Sequence, residues 1–464
     1  MSEASIALNR FGLGAIPGQA PPANPRQWLI DQLDLYDPRP PAIAAAPGSA
    51  DAARNIADFR SRQRELRGQA GDDRSAQMAA RREAAQDARG DYAAAVAART
   101  NAALTSPAPF AERLVHFWAN HFAVSADRLE LNGLAGPLEF EAVRPHLLGR
   151  FGDMLNAVER HPAMLLYLDQ AQSVGPDSPA GQRAAGRQRQ RGLNENLARE
   201  IMELHTLGVR TGYTQADVTE LARALTGWTV GGLARRGGAR QREAEPGSFM
   251  FDGRIHQPGG RTIMDKGYAA GGEEQGQAVL ADLAAHPATA RHLATKLARH
   301  FAGDTPPGPM VDRLEAAWTA SGGDLPTIYR ALVASPEAWT PAPAKFRNPW
   351  EWAIGTHRAL GIGEVQPRAM AGLMTQLGQP VWRPGQPVGY DDLAPSWAGP
   401  DAIMRRVEAA ERLASRAGEP DARALAASLF PDALSPATAQ AIARAESGSQ
   451  AVALLLVAPE MMRR

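Results

Sequence analysis

The sequence predicts a mainly α protein: a multi-helix globular bundle built of helix hairpins, with at most a few short strands between residues 229 and 272. Apolar residues recur at three- and four-residue spacing in segment after segment, and the alternation of a half-buried strand is nearly absent. A weak internal echo points to the hairpins. Leu332–Trp339 (LVASPEAW) and Leu455–Met462 (LLVAPEMM) share an apolar helix end followed by Pro-Glu, and His161-Pro-Ala returns as His286-Pro-Ala. A proline there stops one helix and suits the first turn of the next, so the echo reads as reused joints and not as a solenoid.

Taken in order, residues 1–108 form an N-terminal segment and 109–464 a helical main domain, with 230–272 as a candidate division. Short helices are expected at Ser2–Arg10 and Pro25–Leu35, the second burying Trp28, Leu29 and Leu33. Residues 50–105, rich in Ala, Arg, Asp and Gln, read as a long solvated helical arm. Dense apolar periodicity marks core helices at 109–123, 137–149 and 151–170. A Gly/Pro/Ser/Arg-rich loop at 172–192 carries Arg183, Arg187, Arg189 and Arg191. A helix follows over 194–209. The next is capped by Thr214, with Asp217 at its third position, and ends near Leu225. Within the 229–272 loop, Ser248–Ile255 is the best extended segment. Helices resume at 274–285, 288–302, 309–320, 324–334, 349–360, 366–377, 400–416, 422–428, 435–446 and 448–457.

Composition excludes several function classes. The 50 basic and 50 acidic side chains cancel, so no whole-protein field draws the chain to nucleic acid or an anionic membrane. The arginine-rich loop also lacks the interleaved aromatics of a nucleic-acid binder. Without cysteine there is no disulfide, iron–sulfur cluster or thiolate, which confines any divalent metal to nitrogen and oxygen ligands. The start has neither a basic region before an apolar run nor a twin arginine, and the late apolar run Ala451–Val457 falls far short of a bilayer span, so a cytoplasmic protein is expected. Lysine occurs only at positions 266, 296 and 345; against an arginine background this raises Lys266 and Lys345 as places needing a compact ammonium.

Two helices concentrate the polar chemistry. On the 194–209 helix, Leu197, Ile201, Leu204 and Gly208 form an apolar face. Asn194 and His205 border it on one side and Glu200 on the other, while Glu195, Arg199 and Glu203 fall opposite as ordinary i,i+4 ion pairs. On the 109–123 helix, Glu112, His116 and Asn120 stack on one stripe and His121 projects to the apolar side. A Glu and a His one turn apart can share a metal or hold an imidazole tautomer, although neither His-Glu-x-x-His nor Glu-x-x-His is present. A lone His on an apolar face is more often a core residue. On the loop, Asp252 is placed to orient His256, where a turn role competes with a functional one. Phosphate-loop, nucleophile-elbow and dinucleotide fingerprints are missing.

At these residues the chain resembles a known family. Leu8-Asn-Arg-Phe-Gly-Leu-Gly-Ala, His116-Phe-Trp-Ala-Asn-His-Phe, Arg144-Pro-His146-Leu-Leu-Gly, His161-Pro-Ala-Met-Leu-Leu-Tyr-Leu-Asp169 and Asn194-Glu-Asn through His205-Thr-Leu-Gly are similar to successive landmarks of the domain of unknown function 1800 (DUF1800) family. Gly212-Tyr-Thr-Gln-Ala-Asp-Val, Leu225-Thr-Gly-Trp-Thr and His286-Pro-Ala-Thr-Ala continue the order over nearly the whole chain. Gln170, Gln257 and Arg261 depart from it, where Asn, Asp and Lys are expected. The resemblance implies a helical fold and, from relatives encoded beside one, a sulfatase-like partner of the alkaline-phosphatase kind. It implies no established activity.

Two functional readings follow. In the first, an enzyme site lies between the 109–123 and 194–209 helices under a 229–272 lid. His205 and Glu200 act there as an acid/base pair or as metal ligands with His116 or His121, and Asn194 or Arg199 as a substrate or oxyanion donor. In the second, the protein is a non-catalytic assembly partner that uses the 50–105 arm and the 172–192 loop.

Overall fold

The computed structural model describes residues 1–68, 74–186, 192–233, 243–418 and 420–464. Arg187, Arg189 and Arg191 lie outside them; Arg183 is exposed and bonds back to the Pro179 carbonyl of its own short helix. The described chain is mainly helical, with two two-stranded antiparallel sheets, Trp228–Val230 with Phe249–Phe251 and Arg261–Ile263 with Lys266–Tyr268. The second hairpin turns through Met264 and Asp265, both at positive φ (48° and 62°), the pair a tight two-residue turn demands. Among the described residues no helix is long and apolar enough to cross a membrane.

A proline-rich chain is this helical because its prolines sit where helices begin. Pro25, Pro179, Pro349 and Pro436 each occupy a first turn behind an Asn or Ser whose side chain accepts a backbone N–H. The repeated His-Pro joints work the same way. His161 Nδ1 accepts from Ala163 N at 3.2 Å and His286 Nδ1 from Ala288 N at 3.1 Å, so in each the imidazole is the cap.

The central helix, Pro109–His121, is buried on nearly every side, with Phe110, Leu114, Val115 and Trp118 fully so. Trp118 donates to the Tyr329 hydroxyl at 2.7 Å, and Phe110 packs with Phe11 and Phe301 at ring separations of 5.8 and 6.0 Å. Around it run Pro287–Ala302, Pro349–Ala359 and the 32-residue helix Arg74–Thr105. That last helix is solvated only in its first part: from Tyr92 to Leu104 it enters the common core, since alanines there let neighbouring backbones approach closely.

Three expected helices take a different course. The 137–149 segment is a wide π-helical turn, Leu138–Val143, followed by a tight turn at Arg144–His146; the 151–170 segment breaks at Pro162 into Phe151–Arg160 and Pro162–Tyr167. The 194–209 segment is α-helical only over Asn196–Glu200 and becomes a π turn over Ile201–His205. The inserted residue advances the polar positions around the axis, so the straight-wheel placement of His205 at the border of the apolar face does not hold.

Candidate functional site

The two polar-rich helices do meet, but their contact is sealed. The Lys296 ammonium donates to His121 Nδ1 at 2.9 Å, which leaves the ring proton on Nε2; that N–H donates to the His205 carbonyl at 3.2 Å. His205 is fully buried, its Nδ1 lies 2.7 Å from Glu159 Oε1, and Phe122 and Phe151 pack over the two imidazoles. His205 is therefore part of the core, and the opening between the 109–123 and 194–209 helices that an active site there needs is absent.

The other sequence candidates are dispersed. Asn194 donates to the Leu168 carbonyl (3.0 Å) and accepts from Asn196 N (2.9 Å), anchoring the entry to its helix. Arg199 sits in a surface network with Glu195, Glu203 and Gln215. Glu200 is half-buried, and burial pushes its carboxyl above the usual range. His256 lies between the carbonyls of Thr226 (2.7 Å) and Gly271 (3.0 Å), while Asp252 pairs with Arg254, so the expected Asp252–His256 orientation is not formed. Among the described residues no three His, Asp or Glu converge as a metal's ligand set, and His116, His121, Glu200 and His205 do not form one. No described residue of 229–272 lines a cleft beside His121, so the lid role falls away.

The departures at positions 170, 257 and 261 also have a structural account. Gln170 donates to the Leu225 carbonyl (2.7 Å), Gln257 clasps Asp177 through both amide atoms, and Arg261 caps the carbonyls of Gln257, Pro258 and Gly260. Gln257 thus ties the 229–272 region to Asp177, Arg261 braces its own loop and reaches Glu220 at 3.7 Å, and Gln170 holds the end of the 215–225 helix.

The open cleft lies on the other side of His121. It encloses about 1010 Å³ including its mouth, between the central helix, the 287–302 helix, the start of the 349–359 helix and the 379–392 loop. The central helix contributes Arg113, His116, Asn120 and His121. The 287–302 helix contributes Lys296, Arg299 and His300 from one face, while its Leu293, Leu297 and Phe301 enter the core.

The loop wall is fixed rather than mobile by its bonds. The Asn120 amide accepts from Tyr390 N (2.8 Å) and donates to Tyr390 O (2.9 Å), Trp382 O receives Ala126 N at 2.8 Å, and Gly389, at φ 79°, crosses so close to the Asn120 carbonyl that a Cβ would overlap it. Arg99 stacks on Trp350 at 4.1 Å and pairs with Glu139 at 2.8 Å.

Glu351 anchors the cleft's charges. Arg464 forks onto it at 2.9 and 3.1 Å, Arg113 bonds it directly, and His300 Nε2 approaches to 3.8 Å. Burial alone would raise the Glu351 carboxyl, but these cations outweigh it and hold it well below the usual range. His300 turns its other nitrogen to Asp392 at 3.2 Å, and Asp392 is shared with Lys345. His116 accepts from Trp350 Nε1 at 3.1 Å, leaving a buried, unpartnered Nε2; burial and the nearby arginines keep this ring neutral, with its pKa far below the ordinary imidazole value.

Two cations in the cleft stand apart. Among the described residues neither Lys296 nor Arg299 forms an ion pair with a carboxylate, although Asp392 is the leading charge acting on Lys296, and Arg299 Nε is buried without a hydrogen-bond partner. Burial lowers the Lys296 amine to about 8, and His121 beside it is held neutral first by its own burial and then by Lys296.

The family model described as protein of unknown function (DUF1800) matches residues 6–463. The chain belongs to that family. No curated protein and no solved structure matches it. In this DUF1800 chain the His116–His121 landmark lies on the cleft, while the 194–209 landmark lies behind it. Sequence reasoning missed Lys296, Arg299 and His300. Their signal was three basic residues at i, i+3 and i+4 opposite Leu293, Leu297 and Phe301, together with the scarcity of lysine. Of the lysines singled out from composition, Lys266 is exposed and pairs with Asp282, and Lys345 is buried between Asp304 and Asp392.

Proposed function

We propose that this protein is an enzyme that binds a small anionic substrate in the cleft beneath the 379–392 loop, with Arg299 holding the anion and the Lys296–His121 pair transferring protons. One observation carries the reading: Lys296 and Arg299, neither of them ion-paired among the described residues, line a preformed cleft, whereas Arg10, Arg347, Arg358 and Arg406, which also lack a carboxylate, direct their donors to oxygens of the closed core. An unpaired buried cation is costly, and supplying its anion from a ligand recovers that cost on binding. A lysine whose pKa is lowered to about 8 is also suited to moving protons near neutrality. The fixed loop favours a preorganised site.

The test is a thermal-shift and calorimetric titration of the purified protein with phosphate, sulfate and small carboxylates, set beside Arg299→Gln. A ligand at 100 times its Kd stabilises the folded state by about 2.7 kcal/mol, a readily measured rise in midpoint. At least one anion should raise the wild-type midpoint and leave Arg299→Gln unmoved. Equal responses, or none in either protein, reject the reading.

A further inference from the structure

We infer that Lys296 is a nucleophile that forms an imine with a carbonyl compound carrying a carboxylate, the carboxylate resting on Arg299. The inference rests on the cleft reading above and adds a substrate class: 2-oxo acids and their close relatives.

The geometry supports a nucleophile better than a fixed positive charge. A lysine kept for charge alone is met by a carboxylate, as Lys345 is by Asp304 and Asp392. Lys296 instead meets a hydrogen-bond acceptor, His121 Nδ1 at 2.9 Å, whose other nitrogen is occupied by the His205 carbonyl. That imidazole is rigidly held and can take a proton from the ammonium. Arg299 follows one turn later on the same helix, lines the same cleft and has no partner. A carboxylate there would place an adjoining carbonyl carbon over the amine, and the planar guanidinium fork matches a carboxylate.

The chemistry balances without a further reactant. The ammonium gives a proton to His121 Nδ1. The free amine nitrogen bonds to the carbonyl carbon, and the C=O π pair moves to oxygen, which is protonated. The nitrogen passes one of its two protons to that hydroxyl, the C–O bond breaks with its pair on the departing water, and the nitrogen lone pair closes the C=N bond, so that ammonium and carbonyl become protonated imine and water. With its pKa near 8, about a tenth of the Lys296 amine is unprotonated at pH 7, against well under a hundredth for an ordinary lysine near 10.4.

Lysine scarcity makes the test internally controlled. The protein is incubated at pH 7.5 with pyruvate, or with 2-oxoglutarate, and sodium cyanoborohydride, which reduces an imine to a stable secondary amine. Peptide mass spectrometry then follows adduct formation at Lys266, Lys296, Lys345 and the terminal amine. The larger free-amine fraction, offset by lower basicity, predicts that Lys296 reacts roughly tenfold faster than exposed Lys266. In Arg299→Gln the Lys296 rate should fall below that of the wild type, because the carboxylate of the probe loses its seat, while Lys266 labelling is unchanged.

Labelling of Lys266 as fast as Lys296, or no Lys296 adduct with either probe, overturns the inference. If pyruvate still raises the midpoint of the wild type and not of Arg299→Gln while no adduct forms, the imine fails and the anion-binding cleft survives. If no tested anion binds either, both fail.

Discussion

Replacing Glu351 by glutamine keeps the shape of the side chain and removes one negative charge from beneath the cleft. The carboxylate is 6 % exposed and is met by Arg464, 0 % exposed, and Arg113, 3 % exposed. The substitution leaves both guanidinium groups in a dry interior, facing an amide that offers one acceptor where two were used. Removing one partner of a buried ion pair costs about 3–5 kcal/mol. Two arginines lose their counter-charge here, although Arg113 keeps the Gly12 carbonyl at 2.8 Å. The expected loss is therefore at the upper end, about 5 kcal/mol, a large share of the roughly 5–15 kcal/mol that holds a domain folded.

Urea unfolding at pH 7, followed by tryptophan fluorescence, measures it as a lower midpoint at unchanged slope. The pH dependence supplies a second arm. Because the folded carboxyl lies below its unfolded value, the stability it contributes is fully present above about pH 4.3 and is lost as pH falls through the depressed folded value. The wild type should accordingly lose more stability on acidification than Glu351→Gln. A Glu351→Gln protein within about 1 kcal/mol of the wild type at pH 7 would refute the account of Glu351 as anchor of the buried cations.

Further expectations follow from the same geometry. Lys296→Met removes an ammonium that the folded state disfavours. Since the folded pKa is lowered to about 8, the penalty is present below pH 8 and is relieved as pH rises toward 10.4, so the variant should be more stable at pH 7 by on the order of 1–3 kcal/mol and equal to the wild type near pH 10.5 in paired denaturation curves. Asn120→Ala cuts both bonds to Tyr390; amide hydrogen exchange across 379–392 should quicken at least tenfold while the Pro109–Val115 half of the central helix stays protected. Gly389→Ala places a Cβ against the Asn120 carbonyl at a positive φ, and calorimetry should show a lowered midpoint corresponding to about 1–3 kcal/mol. His286→Ala deprives the Pro287–Ala302 helix of its cap and should cost about 1 kcal/mol, whereas His286→Asn should restore most of it.

By itself the sequence determined the class of the fold, the position of nearly every helix after residue 273 and the joints between them. Those features follow from local physics: apolar periodicity, a proline in the first turn, and a side chain that caps what precedes it. It also determined the chemical vocabulary, since a chain without cysteine and with three lysines can offer only certain groups. It brought out His116, Asn120 and His121 because they crowd one short helix.

Tertiary structure decided which of these groups share a space. Whether His205 faces substrate or core turns on a single inserted residue in a π turn, which a 3.6-residue wheel does not represent. Whether Lys296, Lys266 or Lys345 lacks a counter-charge depends on carboxylates far away in sequence, Asp282, Asp304 and Asp392. The cleft itself is made by the helix over 109–121, the helix over 287–302 and a loop near 390, and no local pattern encodes their approach. Access to the cleft and the lack of an ion pair are properties of the packed molecule, and together they mark out Lys296 and Arg299.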